Sequence, residues 1–196
     1  MNYNTTYFPN DEASVKRSTE VLEVVRNYAS EQGIRDIIVP TTTGATGLLA
    51  KDLIQGHDTN LVIVTHQVGF RERGKNEVPE ETLVSLRQVA QVLVTQHAFA
   101  GVGRAVRLKL GSYEWSELLA MVLRTFGQGT KVSAEITIMA ADAGLISLNS
   151  PVIACGGTGS GLDTAWELLP AHSHQFFDLR FQRLLCKPLF VDPLNE

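Results

Sequence analysis

The stretch Asp36 to Gly47, DIIVPTTTGATG, decides how this chain folds. Its apolar run, Ile37-Ile38-Val39, breaks into threonine and glycine and leads into the helix-forming Leu48-Leu49-Ala50-Lys51. A strand end, a glycine-rich turn and a helix start in that order bring backbone N–H groups and the positive end of a helix to one point, which suits a phosphate. Pro151 to Gly161, PVIACGGTGSG, repeats the pattern with Thr158 and Ser160 among its glycines. Two such loops predict a binding crevice. Neither is a known fingerprint: Gly44, Gly47 and Lys51 lack the spacing of an NTPase loop, and Leu162 stands where a dinucleotide motif needs its third glycine. A glycine turn also reverses a chain without any ligand, so each loop alone leaves both readings open.

Outward from that stretch the pattern alternates. Val21, Val24, Val25 and Tyr28 recur at helical spacing and Gly33 follows as a C-cap. After the first strand comes a helix with Ala45, Leu48, Leu49 and Leu53 on one face, then the strand Leu61-Val62-Ile63-Val64, completing a βαβ unit. Pro79-Glu80-Glu81 opens a helix through Leu83 and Leu86, and Val92-Leu93-Val94 supplies a third apolar strand. Continuous apolar strands of this kind predict a parallel sheet buried on both faces, with its ligand crevice beyond the strand carboxyl ends.

The second half is more helical before it returns to strand. Trp115, Leu118, Leu119, Val122 and Phe126 form one stripe, and Val132, Ile136, Met139, Ala140 and Ala143 another that Gly144 terminates; both read as core. Val152-Ile153-Ala154 is a strand, and Thr164 to Leu169 a further one, read as antiparallel. Residues 176–186 fit helix and strand alike, because Phe177, Phe181, Leu184 and Leu185 have helical spacing while Phe177, Leu179 and Phe181 alternate. The first ten residues, rich in Asn and Thr, are expected to be loose.

At 196 residues the chain fits one α/β domain, 1–196, able to bury a core without metals or disulfides. A hydrophobic fraction of 44% and a formal net charge of -4 offer no electrostatic case for nucleic acid. With two cysteines, Cys155 and Cys186, and no leader-like opening, a cytoplasmic location is expected. No run approaches the roughly 20 apolar residues of a membrane span, so no membrane partner is expected.

Candidate chemistry follows the strands. The long segment Thr65 to Glu77 carries His66, Phe70, Arg71, Arg73 and Lys75, whose cations suit a phosphate and whose aromatic ring suits a planar group; a solvated loop is the alternative. His97 holds the same place after the third strand. Two histidines could move protons or bind metal, but no clear set of zinc ligands accompanies them; His172 and His174 share one face if 171–174 is extended, which leaves a metal site as the less favoured alternative. Phe126 to Lys131 begins a helix with two close glycines, an additional anion contact or a plain turn. No Gly-x-Ser-x-Gly elbow or C-x-x-C pair points to a hydrolase or redox enzyme.

Taken in order, TTTGATG, VTHQVGFRERGKNEVPEE, TQHAFAGVGR, FGQGTKVSAEI, DAGLI, GGTGSGLDTA and AHSHQFFDLR resemble an uncharacterised prokaryotic family with the fold of the pyruvate kinase C-terminal alpha/beta domain. The resemblance spans about Glu20 to Pro188. It implies a three-layer α/β/α sandwich whose mixed sheet is mostly parallel with one antiparallel edge strand. It implies no pyruvate kinase activity, since that chemistry belongs to a barrel needing about 250 residues. That family is associated with flavin mononucleotide (FMN), which makes this phosphorylated planar molecule the leading cofactor. By motif position the phosphate contacts are Thr42, Thr43, Gly44 and Thr46, or equally Gly157, Thr158, Gly159 and Gly161. His66, Phe70 and Arg71 approach the ring or ribityl chain, with Lys75 and His97 alongside. The competing readings are a flavin-dependent oxidoreductase and a ligand-sensing module that reports to a partner or to other copies in a homo-oligomer.

Overall fold

The computed structural model describes residues 4–9, 15–54 and 58–190. In chain order these form β1 (Thr6–Phe8), α1 (Val15–Gln32), β2 (Asp36–Thr41), α2 (Ala45–Ile54), β3 (Asn60–Thr65), α3 (Glu80–Arg87), β4 (Gln91–Val94), α4 (Gly101–Leu110), α5 (Trp115–Arg124), α6 (Gln128–Asp142), β5 (Val152–Gly156), β6 (Thr164–Leu169), a 3₁₀ segment Ser173–Asp178, and β7 (Arg180–Pro188). The strands make one mixed sheet in the order β1-β7-β6-β5-β2-β3-β4. Every neighbouring pair is parallel except β5–β6 and β6–β7.

Period-two alternation explains the layers. Ile37 and Val39 of β2 point to one face, where they meet Val21, Leu22 and Val25 of α1, Ala50 and Ile54 of α2 and Leu86 of α3. Ile38 points to the other, with Ala134, Ile138 and Ala140 of α6. The result is a three-layer α/β arrangement. α1 stops at Gly33, whose φ of +68° lets Ile34 N–H turn back to the Ala29 carbonyl at 3.0 Å.

Several expectations change. The antiparallel strand β6 lies inside the sheet, because the short Gly157 to Asp163 turn folds it back against β5, and β7 and β1 then add beyond it. Thr6–Phe8, within the stretch expected to be loose, pairs in parallel with β7. Residues 176–186 divide between the 3₁₀ segment and β7, which is why both periods were visible. β4 is an edge strand and half-exposed. α2 buries Gly47, Ala50 and Ile54 and leaves Leu48 exposed: small residues let it approach Ile63 and Leu86 closely. The α5 stripe faces outward, with Trp115 81% exposed, while Glu117 and Ala120 turn inward. No helix among the described residues is long and apolar enough to cross a membrane.

Candidate ligand site at the strand carboxyl ends

Register places Thr41, Thr65 and Val94 side by side at the carboxyl ends of β2, β3 and β4. The order of strands switches between β2 and β5, where a doubly wound sheet usually holds its ligand. Here that switch point is filled. A side chain on Gly156 would strike the backbone of Gly129, so the start of α6 abuts the end of β5. Asp163, buried, folds the second glycine loop around its own carboxylate: it accepts Thr158 N–H at 2.8 Å and Thr164 Oγ1–H at 2.6 Å, and a Cβ on Gly129 would lie 2.7 Å from it. An internal anion therefore sits where an external one was expected, at the N-terminus of α6. Thr158 and Gly159 are exposed, and Gly157 and Gly161 half-buried, in the turn this carboxylate organises.

The first glycine loop has no such carboxylate, yet part of its donor set is used. Thr41 Oγ1 accepts Gly44 N–H at 3.0 Å and Gly47 N–H at 3.4 Å, and Thr46 Oγ1 donates to the Pro40 carbonyl at 2.6 Å. Gly44 has a φ of +100°, and a Cβ there would lie 2.5 Å from Thr82 Cγ2 and 3.2 Å from Val78 Cγ1. Packing of α3 and its approach loop thus demands glycine at this position, whatever binds. Thr42 is half-buried and Thr43 exposed.

The groups that the structure gathers most tightly are the aromatic ones. His66, Phe70 and His97 form a three-ring cluster with centroid distances of 4.3, 4.9 and 4.9 Å. The Arg104 guanidinium, from the first turns of α4, lies 5.0 Å above Phe70. His66 Nδ1 is 2.7 Å from Glu77 Oε2; a carboxylate oxygen accepts, so Nδ1 carries the proton and the other nitrogen of a neutral ring points elsewhere as an acceptor. Arg71 shares the same carboxylate at 2.9 Å. Lys75 is exposed and pairs with Glu72 at 2.6 Å, and the loop is stitched by Gly69 N–H to the Lys75 carbonyl. Two of the three loop cations are therefore balanced within the loop.

Behind His97 lies a buried ion pair. Lys131 and Glu135, one helical turn apart on α6, hydrogen-bond through Nζ and Oε2, and Glu135 Oε1 accepts the Phe99 N–H at 3.0 Å. The start of α6 reads in the sequence as an anion contact or a plain turn; the Lys131 side chain there is 6% exposed and points to Glu135 and the Phe99 ring. Burial lowers the pKa of Lys131, with Glu135 acting against it. Burial also holds His97 below 6.5, opposed by Glu135 and reinforced by His66, Lys131 and Arg104. The lowered pKa favours a neutral His97 near pH 7, whose unprotonated ring nitrogen can accept a hydrogen bond.

Two clefts open at the opposite, amino end of the strands. The one of about 590 Å³ is lined by Asp36, Asn60, Ser147 and Glu167 among others. Its polar groups bind one another: Asn60 Nδ2 donates to Asp36 Oδ1 and the Leu145 carbonyl, and Ser147 N–H to Asp36 Oδ2. They tie the α6–β5 connection to the sheet. His172 and His174 stack at 5.6 Å, with His172 facing Asp142 at the far end of α6, and no group of three or more potential metal ligands occurs among the described residues. Cys155 and Cys186 are buried, and burial pushes the Cys155 thiol up to about 12, which leaves it inert.

His66, Phe70, Arg71 and His97 stood out in the sequence, but their supports Glu77, Arg104 and Glu135 did not, nor did Asp163 within the second glycine loop. The i,i+4 spacing of Lys131 and Glu135 was the one visible signal. No protein-family model matches the chain.

Proposed function

We propose that the chain binds a planar, phosphate-bearing small molecule, FMN foremost, against the His66–Phe70–His97 cluster. That cluster, with Arg104 over it, carries the reading: three rings and a guanidinium at strand ends make the kind of face on which a flat heteroaromatic ring stacks. The ordered motifs similar to the family with the pyruvate kinase C-terminal alpha/beta fold point the same way. Of the two glycine loops, Thr42 to Thr46 is the better phosphate neighbour, because Asp163 would repel an anion from the other.

Freshly purified protein is expected to show flavin absorbance, or to quench FMN fluorescence on titration, with riboflavin binding more weakly for want of the phosphate. Phe70→Ala and Arg104→Ala should each weaken FMN. A colourless protein that takes up neither molecule removes the FMN assignment. The His66–Glu77 pair beside a neutral His97 supports a second reading, a flavin-dependent oxidoreductase in which these groups move protons. In that case His97→Ala slows reduction of bound flavin by a nicotinamide nucleotide without releasing the flavin.

A further inference from the structure

α4 contains no buried residue. It rests on α5, where Gly103 lets it approach Glu114 and Ser116, and its Leu108 and Leu110 are 71% and 72% exposed. α5 in turn directs Trp115, Leu118 and Val122, spaced three and four residues apart, into solvent, with Met121 beside them. Its inward side is Glu117, held at 2.8 Å by Arg107, with Ala120 and the partly buried Leu123 against the core. A helix that carries a second apolar stripe on the side away from its own core is built to be covered.

These six side chains expose roughly 650 Å², taking about 250 Å² for a full Trp115 side chain and about 150 Å² for each of the other five. Monomers seldom leave an apolar patch above about 300–600 Å² open, and a stable interface takes about 800 Å² from each partner. With its polar rim added, the face is large enough for one side of a dimer.

Charge selects the occupant. Glu114 precedes the stripe and Arg124 ends it. If two α5 helices cross antiparallel about a two-fold axis near Leu118 and Leu119, Glu114 of one copy meets Arg124 of the other, Trp115 meets Val122, and the helix dipoles oppose. We propose that α4 and α5 are the subunit interface of a homodimer of this chain, the two hairpins packing as a four-helix layer with α5 antiparallel to its counterpart. This interface does not depend on what the ring cluster binds.

Sedimentation velocity and light scattering over a concentration series test it on the full chain. The unaltered protein sediments as a dimer. Trp115→Glu, at an exposed position that leaves the far-ultraviolet circular dichroism unchanged, raises the dissociation constant about a hundredfold or more, since the lost anchor occurs twice across the two-fold. Glu114→Arg or Arg124→Glu alone raises it about tenfold, and the double exchange recovers the dimer. A protein that stays monomeric into the high micromolar range overturns the proposal and assigns the face to a different partner. A dimer indifferent to Trp115→Glu, or a double exchange that recovers nothing, overturns it as well.

Discussion

Glu135→Gln is the most informative single change in this molecule. The wild-type carboxylate does two things: Oε2 neutralises the Lys131 ammonium and Oε1 accepts the Phe99 N–H that anchors the loop after His97. Glutamine keeps an oxygen for Phe99 but presents an amide to the ammonium, and both side chains are only 6% exposed. Removing one partner of a buried pair costs about 3–5 kcal/mol near neutral pH. The loss should depend on pH in a defined direction. Burial already lowers Lys131 from its ordinary 10.5, and without Glu135 it falls further, so the folded state binds fewer protons than the unfolded one below that value. Stability of the variant is therefore greatest above 10.5, where lysine is neutral in both states, and falls as pH drops through the folded pKa. Urea unfolding followed by circular dichroism near pH 7 and near pH 9.5 measures both the loss and its slope. Adding Lys131→Met should restore most of the stability and flatten the slope. A loss under about 1 kcal/mol near pH 7, or stability that declines with rising pH more steeply than in the wild type, would refute the account.

Further outcomes follow from the same site. Gly44→Ala should destabilise the protein by about 2–5 kcal/mol without any ligand, through overpacking against Thr82 and the positive φ, and Thr82→Ala in the same chain should recover part of it in thermal unfolding. Asp163→Asn should cost about 1.5–3 kcal/mol, because the amide cannot accept at both positions the carboxylate serves, while FMN affinity stays unchanged; a tighter FMN complex would move the phosphate to the second glycine loop. The His97 ring should titrate below 6.5 by proton NMR. Since its folded pKa is depressed, its contribution is intact above 6.5 and is lost as pH falls through the folded value, so His97→Phe should reduce the acid-side decline in stability.

How much was legible depended on whether the physics was local. β2, β3 and β5 were readable as apolar runs, and α1 and α6 as periodic stripes ended by Gly33 and Gly144, because burial on two faces and helix termination leave their mark within a few residues. The place of β6 was not, since its neighbours are set by pairing across distant segments. The α5 stripe was misread for a related reason: amphipathic spacing shows that a face will be covered and is silent on what covers it. At the site, His66 and His97 stood out by following strands, whereas Glu77, Arg104 and Glu135 act through contacts between elements that spacing alone does not reveal.

The sheet closes on its two shortest strands, three residues of β1 at one edge and four of β4 at the other. β7, at nine residues, would otherwise offer a long row of backbone groups to any passing strand, and Thr6–Phe8 covers its end with Leu189 N–H closing onto the Phe8 carbonyl at 2.8 Å. Short borders make poor templates for strand addition. Edge-to-edge growth is blunted at these borders, and self-association through the helical face proposed above would instead be closed by a two-fold axis after two subunits.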